Sequence, residues 1–399
     1  MRIGMIADAY RPVVSGVTNY IYLNKSVLEA NGHQVYVFTF GEGEYKDDEP
    51  NIIRSPGLPL VDSGYYLSLS YKREARKLLY TMDVVHVHHP FFGGSLALRY
   101  CRPRGIPIIF TNHTRYDLYA QFYLPVLPDI ISETMLQAYM PSFCRACDLT
   151  IAPSEGLRQI LVKMGVDVPI EVVPNGVNLQ PFSQPTTIKD RKEFNYTSEN
   201  IILIYVGRLG PEKNLSFLLR SFAGTSQALD HVRLLLIGGG PERDNLENQA
   251  RNMGIESKVI FTGMIPYEEL PGYLGIADAF VTASVSEVHP LSVIEAMASG
   301  LPVLGIISPG VGDTIQDGTT GFLAIDDLAA FTAKMVRLVS DHDLRKKMGA
   351  AAKEAAKTFD IKLTSHLMEE QYQRVVQNTT LRKSGLRASI TRLFDNWRP

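Results

Sequence analysis

Ile201-Ile202-Leu203-Ile204-Tyr205-Val206-Gly207-Arg208-Leu209-Gly210-Pro211-Glu212-Lys213-Asn214 decides the architecture. It opens on an apolar run, rich in β-branched residues and of strand length, which two glycines and a proline then break. A continuous apolar run, rather than an alternating one, marks a strand covered on both faces, as in a parallel sheet between helices. The same grammar continues at Val232–Ile237, Val259–Phe261, Ala279–Val281, Pro302–Leu304 and Gly321–Ala324, with helix-period segments between them, among them Leu291–Ala298. Upstream it recurs at Ile3–Ala7, Gln34–Phe40, Val84–His88, Ile106–Asn112, Leu149–Ala152 and Ile170–Val173, separated by helical stretches such as Gly16–Asn31 and Ser154–Met164. The expected fold class is therefore α/β: two doubly wound, Rossmann-like domains facing a cleft. In such sheets ligands bind beyond the carboxyl ends of the strands.

A length of 399 residues suits two domains. The expected boundaries are 1–180 for the first unit, 181–199 for a linker, 200–378 for the second unit and 379–399 for a basic amphipathic tail. The linker is placed by polar, weakly patterned sequence after Val173-Pro174-Asn175-Gly176-Val177 that also holds Pro181 and Pro185. Asp326-Asp327 reads as a helix start, since an Asp side chain caps free N–H groups. Hydrophobic residues at 45% and charged residues at 21% exclude a mostly disordered chain. With 40 Lys and Arg against 42 Asp and Glu, the formal net charge of −2 lacks the basic excess that binding nucleic acid requires. Cys101, Cys144 and Cys147 cannot build a disulfide framework, which favours a reducing compartment. No run approaches the about 18 apolar residues of a membrane span. Met1–Ala7 reads as a strand, not as the apolar core of an export signal. The expectation is a cytoplasmic protein with no transmembrane segment and with peripheral attachment to a membrane left open.

Charged residues at the strand ends carry the chemistry. Arg208 and Lys213 place two cations on a strand-to-helix loop, where backbone N–H groups and a helix N-terminus already suit an anion. A departing diphosphate needs such neutralisation. Gly238-Gly239-Gly240-Pro241 and Ser15-Gly16-Val17 are glycine turns after strands that let a ligand approach the backbone. Glu287 and Glu295 straddle the start of a helix, and a carboxylate accepts hydrogen bonds from sugar hydroxyls. The small and apolar Ala296-Met297-Ala298-Ser299-Gly300 implies close packing around Glu295, where an acid needs a partner. His113 follows a strand at its ligand-facing end. His86 and His88 share a strand face and, with His89, resemble a metal cluster. They lack Cys or carboxylate partners at ligand spacing, so the expectation is no metal. Cys144-Arg145-Ala146-Cys147 lacks the second pair that a zinc site needs.

Taken together, Arg208 with Lys213, the Gly239-Gly240-Pro241 turn and Glu287-x7-Glu295-Ala296-Met297-Ala298-x-Gly300 resemble glycosyltransferase family 4, whose members have the GT-B fold. Pro174-Asn175-Gly176-Val177-Asn178, Ser15-Gly16-Val17 and His113 also match in place, so the likeness spans nearly the whole chain. The resemblance implies a retaining hexosyltransferase that uses a nucleotide-sugar and needs no metal or other cofactor. It implies that Arg208, Lys213 and the backbone at Gly16 hold the donor diphosphate, and that Gly239, Gly240, Met264 and Ile265 lie at the nucleotide. Glu295 would bind the ribose. Glu287 and His113 would act at the donor sugar, with His289, Leu291 and Ser292 nearby. Retention would proceed on one face of the sugar, with a phosphate oxygen taking the acceptor proton. Where many relatives have Glu-Gly-Phe-Gly, this chain has Glu287-Val288-His289-Pro290, and Pro290 has no N–H to offer the hexose.

The acceptor is read from two further stretches. His113-Thr114-Arg115-Tyr116-Asp117-Leu118-Tyr119, with Tyr123, resembles the His-Thr-x-Tyr-x-x-Tyr segment of diacylglycerol glucosyltransferases. Tyr65–Thr81 reads as an amphipathic helix with Lys72, Arg73, Arg76 and Lys77 on one face, suited to an anionic membrane. Its bland alternative is an ordinary solvated helix face. In the tail, Leu386, Ile390, Leu393 and Trp397 recur near helical spacing among basic residues, which suits either a membrane or the first domain. The expectation is transfer of glucose from UDP-glucose to a lipid such as diacylglycerol. A soluble sugar, a polyprenyl-linked or a small-metabolite acceptor is the alternative; a UDP-sugar epimerase or a non-catalytic sugar-binding protein stands further off.

Overall fold

The computed structural model describes residues 1–42, 45–59, 66–116, 118 and 129–395, apart from the side chains of 67, 129–137 and 382–395. The first half contains β1 (Arg2–Ile6), β2 (Gln34–Gly41), β3 (Ile52–Pro56), β4 (Leu58–Pro59), β5 (Tyr66–Leu67), β6 (Val84–Val87), β7 (Ile108–Thr111), β8 (Leu149–Ala152) and β9 (Ile170–Val172). Seven of these form one sheet in the order β3-β2-β1-β6-β7-β8-β9, while β4 and β5 pair by themselves. The second half contains β10 (Ile201–Val206), β11 (Val232–Ile237), β12 (Val259–Gly263), β13 (Ala279–Thr282), β14 (Val303–Ile306) and β15 (Gly321–Ala324), in the order β12-β11-β10-β13-β14-β15. Every pairing within the two large sheets is parallel. These are two doubly wound α/β units, as the alternating pattern predicts.

Strand order positions the site. In the first sheet the chain steps outward from β1 to β3 and then returns to place β6 on the other side of β1. In the second it steps from β10 to β12 and returns to place β13 beside β10. At each reversal the two following loops diverge and leave a crevice. The loops after β10 and β13 carry Lys213 and Glu287; those after β1 and β6 carry Gly16 and His88. Both faces of each sheet are covered: Leu234 and Leu236 pack with Leu218, Phe222 and Phe331, and Leu235 packs with Ile294 and Met297.

Two expectations need correction. The last helix, Ile361–Asp395, does not complete the second unit through Asn378. Met368, Tyr372 and Val375 belong to the buried cluster of Ile3, Met5, Tyr20 and Val84, and Ser365 Oγ donates to Asn24 Oδ1 at 2.9 Å. Its apolar stripe thus closes the core of the first unit. The expected linker, 181–199, packs against the second unit. Arg191 donates to the Asp278 carboxylate and to the carbonyls of Asn200 and Ile276, and Phe194 and Tyr196 pack on the second core. The other correction is that Tyr65–Thr81 is not one helix. Tyr66–Leu67 is a strand, and the helix covers only Arg73–Leu79. Pairing of β5 with β4 takes Tyr66 and Leu67 out of the expected helix.

Candidate active site

The second unit builds its part of the site from backbone. Gly207 N donates to Ile237 O at 2.9 Å, Leu209 N to Gly239 O at 2.9 Å, Glu242 N to Leu209 O at 3.0 Å and Gly238 N to Gly263 O at 3.0 Å. The turns after β10, β11 and β12 are therefore knitted into one platform. This explains two glycines. Gly238 has φ 137°, and a Cβ there would lie 1.9 Å from Gly207 O; at Gly240 it would lie 2.4 Å from Leu209 O. Asn214, at φ 54°, turns the chain from the Pro211–Lys213 turn into the helix Leu215–Ala228. Arg208 is exposed at the platform's edge and Lys213 half-buried beside the crevice. Lys213 Nζ donates to Glu287 Oε1 at 2.6 Å, across the β10–β13 reversal.

Glu295 lies buried in the helix Leu291–Ala298. Its partner is Tyr267, whose hydroxyl donates to Glu295 Oε1 at 2.7 Å. Burial raises the Glu295 carboxyl to about 7, against which the Tyr267 hydrogen bond pulls down. That a partner was needed was legible from the packed helix. Which residue supplies it was not, because Tyr267 is distant in sequence and reaches Glu295 only through the turn after Met264 and Ile265. Met264 is exposed, at 86% of its free surface, and Ile265 packs on the core.

The loop from Glu287 to Pro290 is held from three sides. Gly310 N donates to Glu287 O at 3.1 Å, Ser154 Oγ to Val288 O at 2.7 Å and Asn175 Nδ2 to His289 O at 3.3 Å. Val288 joins the buried cluster of the first unit. The His289 ring is buried edge-on against Phe359, with centroids 5.0 Å apart, and burial lowers its pKa to about 4. The loop that departs from the resembled pattern therefore also ties the two units together.

In the first unit Ser15 caps the helix Gly16–Ala30 and forms a reciprocal capping box with Thr18. At Gly16 an added Cβ would meet nothing within 4 Å, so packing does not demand glycine there. His113, just past β7, is buried, and its Nε2 lies 3.0 Å from His88 Nδ1. His86 is bonded through Nε2 to Thr111 Oγ1 and through Nδ1 to Tyr372 OH, both at 2.7 Å. Asp8 N donates to His89 Nδ1 at 3.1 Å, so that nitrogen is the acceptor. Burial pushes all four histidines toward the neutral form. Among the described residues no group of three or more His, Cys, Asp or Glu side chains converges as a metal site.

Two family descriptions match this chain: "Glycosyltransferase Family 4" over residues 14–181 and "Glycosyl transferases group 1" over residues 186–355. The α-monoglucosyldiacylglycerol synthase of Streptococcus pneumoniae is 32% identical over 356 residues, covering 87% of this chain and 80% of its own. The chain belongs to glycosyltransferase family 4. The synthase of the same name from Acholeplasma laidlawii is 29% identical, covering 80% of this chain and 84% of its own. Among solved structures, Anabaena HepE in complex with UDP and glucose superposes with a TM-score of 0.76 at 17% identity, over 94% of this chain and all of that one, which supports the GT-B fold.

This family 4 chain places the expected donor residues unequally. Lys213 and Glu287 meet directly, and Gly239, Gly240, Met264 and Ile265 lie on the loops after β11 and β12. Leu291 and Ser292 open the helix that carries Glu295, with Pro290 before it. Of the basic helix, Lys72, Arg73 and Lys77 are exposed, whereas the Arg76 guanidinium lies 5.8 Å from the centre of the Tyr100 ring and is half-buried. Asp117, Tyr119, Tyr123 and the tail side chains from Arg382 onward lie outside the described residues; Tyr116 is half-buried with its ring edge on Phe91. The Cys101 and Cys144 thiols are buried, which raises them to about 12 and about 11 and makes them poor thiolates. No described helix is long and apolar enough to cross a membrane.

Proposed function

We propose that this hexosyltransferase moves glucose from UDP-glucose to diacylglycerol, with retention of the anomeric configuration, at an anionic membrane surface. The observation that carries the reading is the Lys213–Glu287 contact at the β10–β13 reversal, backed by a platform of backbone turns. A diphosphate entering there competes with Glu287 for the Lys213 ammonium and draws on Arg208 and on backbone N–H groups of the turns. Glu287 is then available to a hydroxyl of the hexose. Glu295 takes the ribose hydroxyls, and the backbone at Met264 and Ile265 takes the base. Gly16 brings its N–H to the diphosphate from the first unit, where the absence of any packing demand for glycine supports a role in ligand approach. His113 lies at the hexose.

In the step itself, the acceptor hydroxyl oxygen forms the new bond to C1 as the bond from C1 to the β-phosphate oxygen breaks on the same face. The electron pair leaves with UDP, and the acceptor proton passes to the departing phosphate oxygen. Arg208 and Lys213 stabilise the charge that develops there, which is the term that fixed donors supply most effectively.

A lipid acceptor is supported by the two α-monoglucosyldiacylglycerol synthases among the relatives and by the surface of the first unit. Pro56, Gly57, Leu58, Ser68, Leu69 and Phe92 line an apolar depression, with Leu58 and Leu69 more than 70% exposed. Exposed Lys72, Arg73 and Lys77 follow directly in the chain, the pairing of apolar and cationic surface that an anionic bilayer binds. The test is incubation of the purified protein with UDP-glucose and diacylglycerol in anionic vesicles. A monoglucosyl lipid with an α linkage by mass spectrometry and NMR is expected. Efficient transfer to a soluble sugar with no glycolipid refutes the acceptor.

A further inference from the structure

His88 lies outside every role assigned above, yet among the described residues it is the side chain bonded to the His113 ring. We infer that His88 is a positioning residue that fixes His113 as the Nδ1–H tautomer and so presents an N–H donor to the sugar site. The inference rests on the placement of His113 beside the donor hexose proposed above.

The argument is one of proton accounting. His88 Nδ1 and His113 Nε2 are 3.0 Å apart, a hydrogen-bond distance that needs one proton between the two nitrogens. Both rings are buried, flanked by each other and by His86 and Tyr20, and both are pushed toward the neutral form by that burial. Each ring therefore has a single N–H, and only two arrangements are open. If His113 Nε2 donates, the His88 proton sits on Nε2. That atom is buried and has no hydrogen-bond partner among the described residues. If His88 Nδ1 donates, His88 Nε2 keeps a bare lone pair and His113 has its proton on Nδ1. Orphaned buried N–H groups are rarer in proteins than under-satisfied acceptors. The π face of Tyr20, whose ring centroid lies 5.6 Å from that of His88, would be only a weak acceptor for that proton. The second arrangement is the one the geometry favours.

The consequence is chemical. An Nδ1–H imidazole donates to a hydroxyl oxygen of the hexose and cannot act as a base through that nitrogen. This agrees with a step in which the leaving phosphate takes the acceptor proton. It also separates His88 from its strand neighbour: His86 has both ring nitrogens bonded, to Thr111 and Tyr372, and has none left for His113.

The test is nitrogen-15 NMR of the full chain labelled at histidine, with His113 signals assigned by their loss in His113→Asn. The expected result is a protonated Nδ1 and an unprotonated Nε2 at His113. A protonated Nε2 with a bare Nδ1 overturns the inference without any variant at His88. His88→Asn keeps an amide N–H near the position of Nδ1, whereas His88→Leu keeps none. The former should hold the tautomer and stay within about threefold of wild-type kcat/KM for UDP-glucose; the latter should lose the tautomer and about tenfold or more, chiefly in KM, as expected for a lost hydrogen bond to substrate. Equal activity of the two variants, both folded by circular dichroism, refutes the positioning role. If the tautomer is as inferred but His113→Asn has wild-type activity, the lock stands and the placement of His113 at the hexose fails.

Discussion

The two halves of the cleft are built by different means. The second unit assembles its face from backbone, with three consecutive turns bonded to one another at 2.9–3.0 Å and with Gly238 and Gly240 where another main chain comes too close for a Cβ. The first unit assembles its face from buried side chains, in which His86 and His88 come from β6 and the loop after it, His113 from the loop after β7 and Tyr372 from the last helix. Backbone platforms bind a charge through many small, fixed dipoles. Side-chain clusters depend on protonation state and on packing from elsewhere. The first arrangement suits a diphosphate, which asks only for positive potential, and the second suits a hexose, whose hydroxyls ask for particular donors and acceptors.

The sharpest way to break the comparison is at Lys213. Lys213→Ala should lower kcat by about 100- to 1000-fold, the range for removing one fixed donor to developing charge, while Arg208→Ala should cost less because its guanidinium is exposed. Equal losses at the two positions would mean that burial does not rank them. Gly238→Ala comes next, since its Cβ would lie 1.9 Å from Gly207 O and its φ is 137°. A loss of about 3 kcal/mol or more in urea unfolding is expected. Gly16→Ala is the counterpart from the first unit: unchanged unfolding but a raised KM for UDP-glucose, because nothing of the protein lies within 4 Å of the added Cβ.

Glu295 gives a pH signature. Burial raises its carboxyl from 4.5 to about 7, so between those values the folded chain binds a proton that the unfolded chain has released. Stability should therefore fall as pH rises through that window, with the penalty fully present above about 7. Glu295→Gln should flatten this slope. Tyr267→Phe should move the folded-state midpoint further up, since the lost hydrogen bond favours the carboxylate. Ultraviolet-monitored melting across pH 4–8 would check both. The smallest effect is expected at Tyr372→Phe, about 1 kcal/mol for the bond to His86. Wild-type KM with that modest loss would confine the C-terminal helix to stability.

How much of this was legible follows from what each feature depends on. Strands buried on both faces announce themselves by unbroken apolar runs, so Ile201–Val206, Val232–Ile237, Leu149–Ala152 and Gly321–Ala324 have the bounds expected. The edge strand Ile52–Pro56 contains Arg54 and ends on a proline. Only its pairing with β2 makes it a strand. The residues proposed for the donor could be singled out because turns after strands are local, and a local segment has its chemistry in adjacent letters. Tyr267 beside Glu295, His88 beside His113 and Asn175 beside His289 were not, because each pair joins segments that only the packed sheets bring together.

By itself, then, the order of residues determined two parallel sheets, the cationic loop at Arg208 and Lys213 and the acid pair at Glu287 and Glu295, since periodicity and turn chemistry act over a few residues. The tertiary structure alone decided that Lys213 rests on Glu287, that the last helix seals the first unit, and that burial holds four histidines neutral. Those are properties of distance and dielectric, which exist only once the chain has closed on itself.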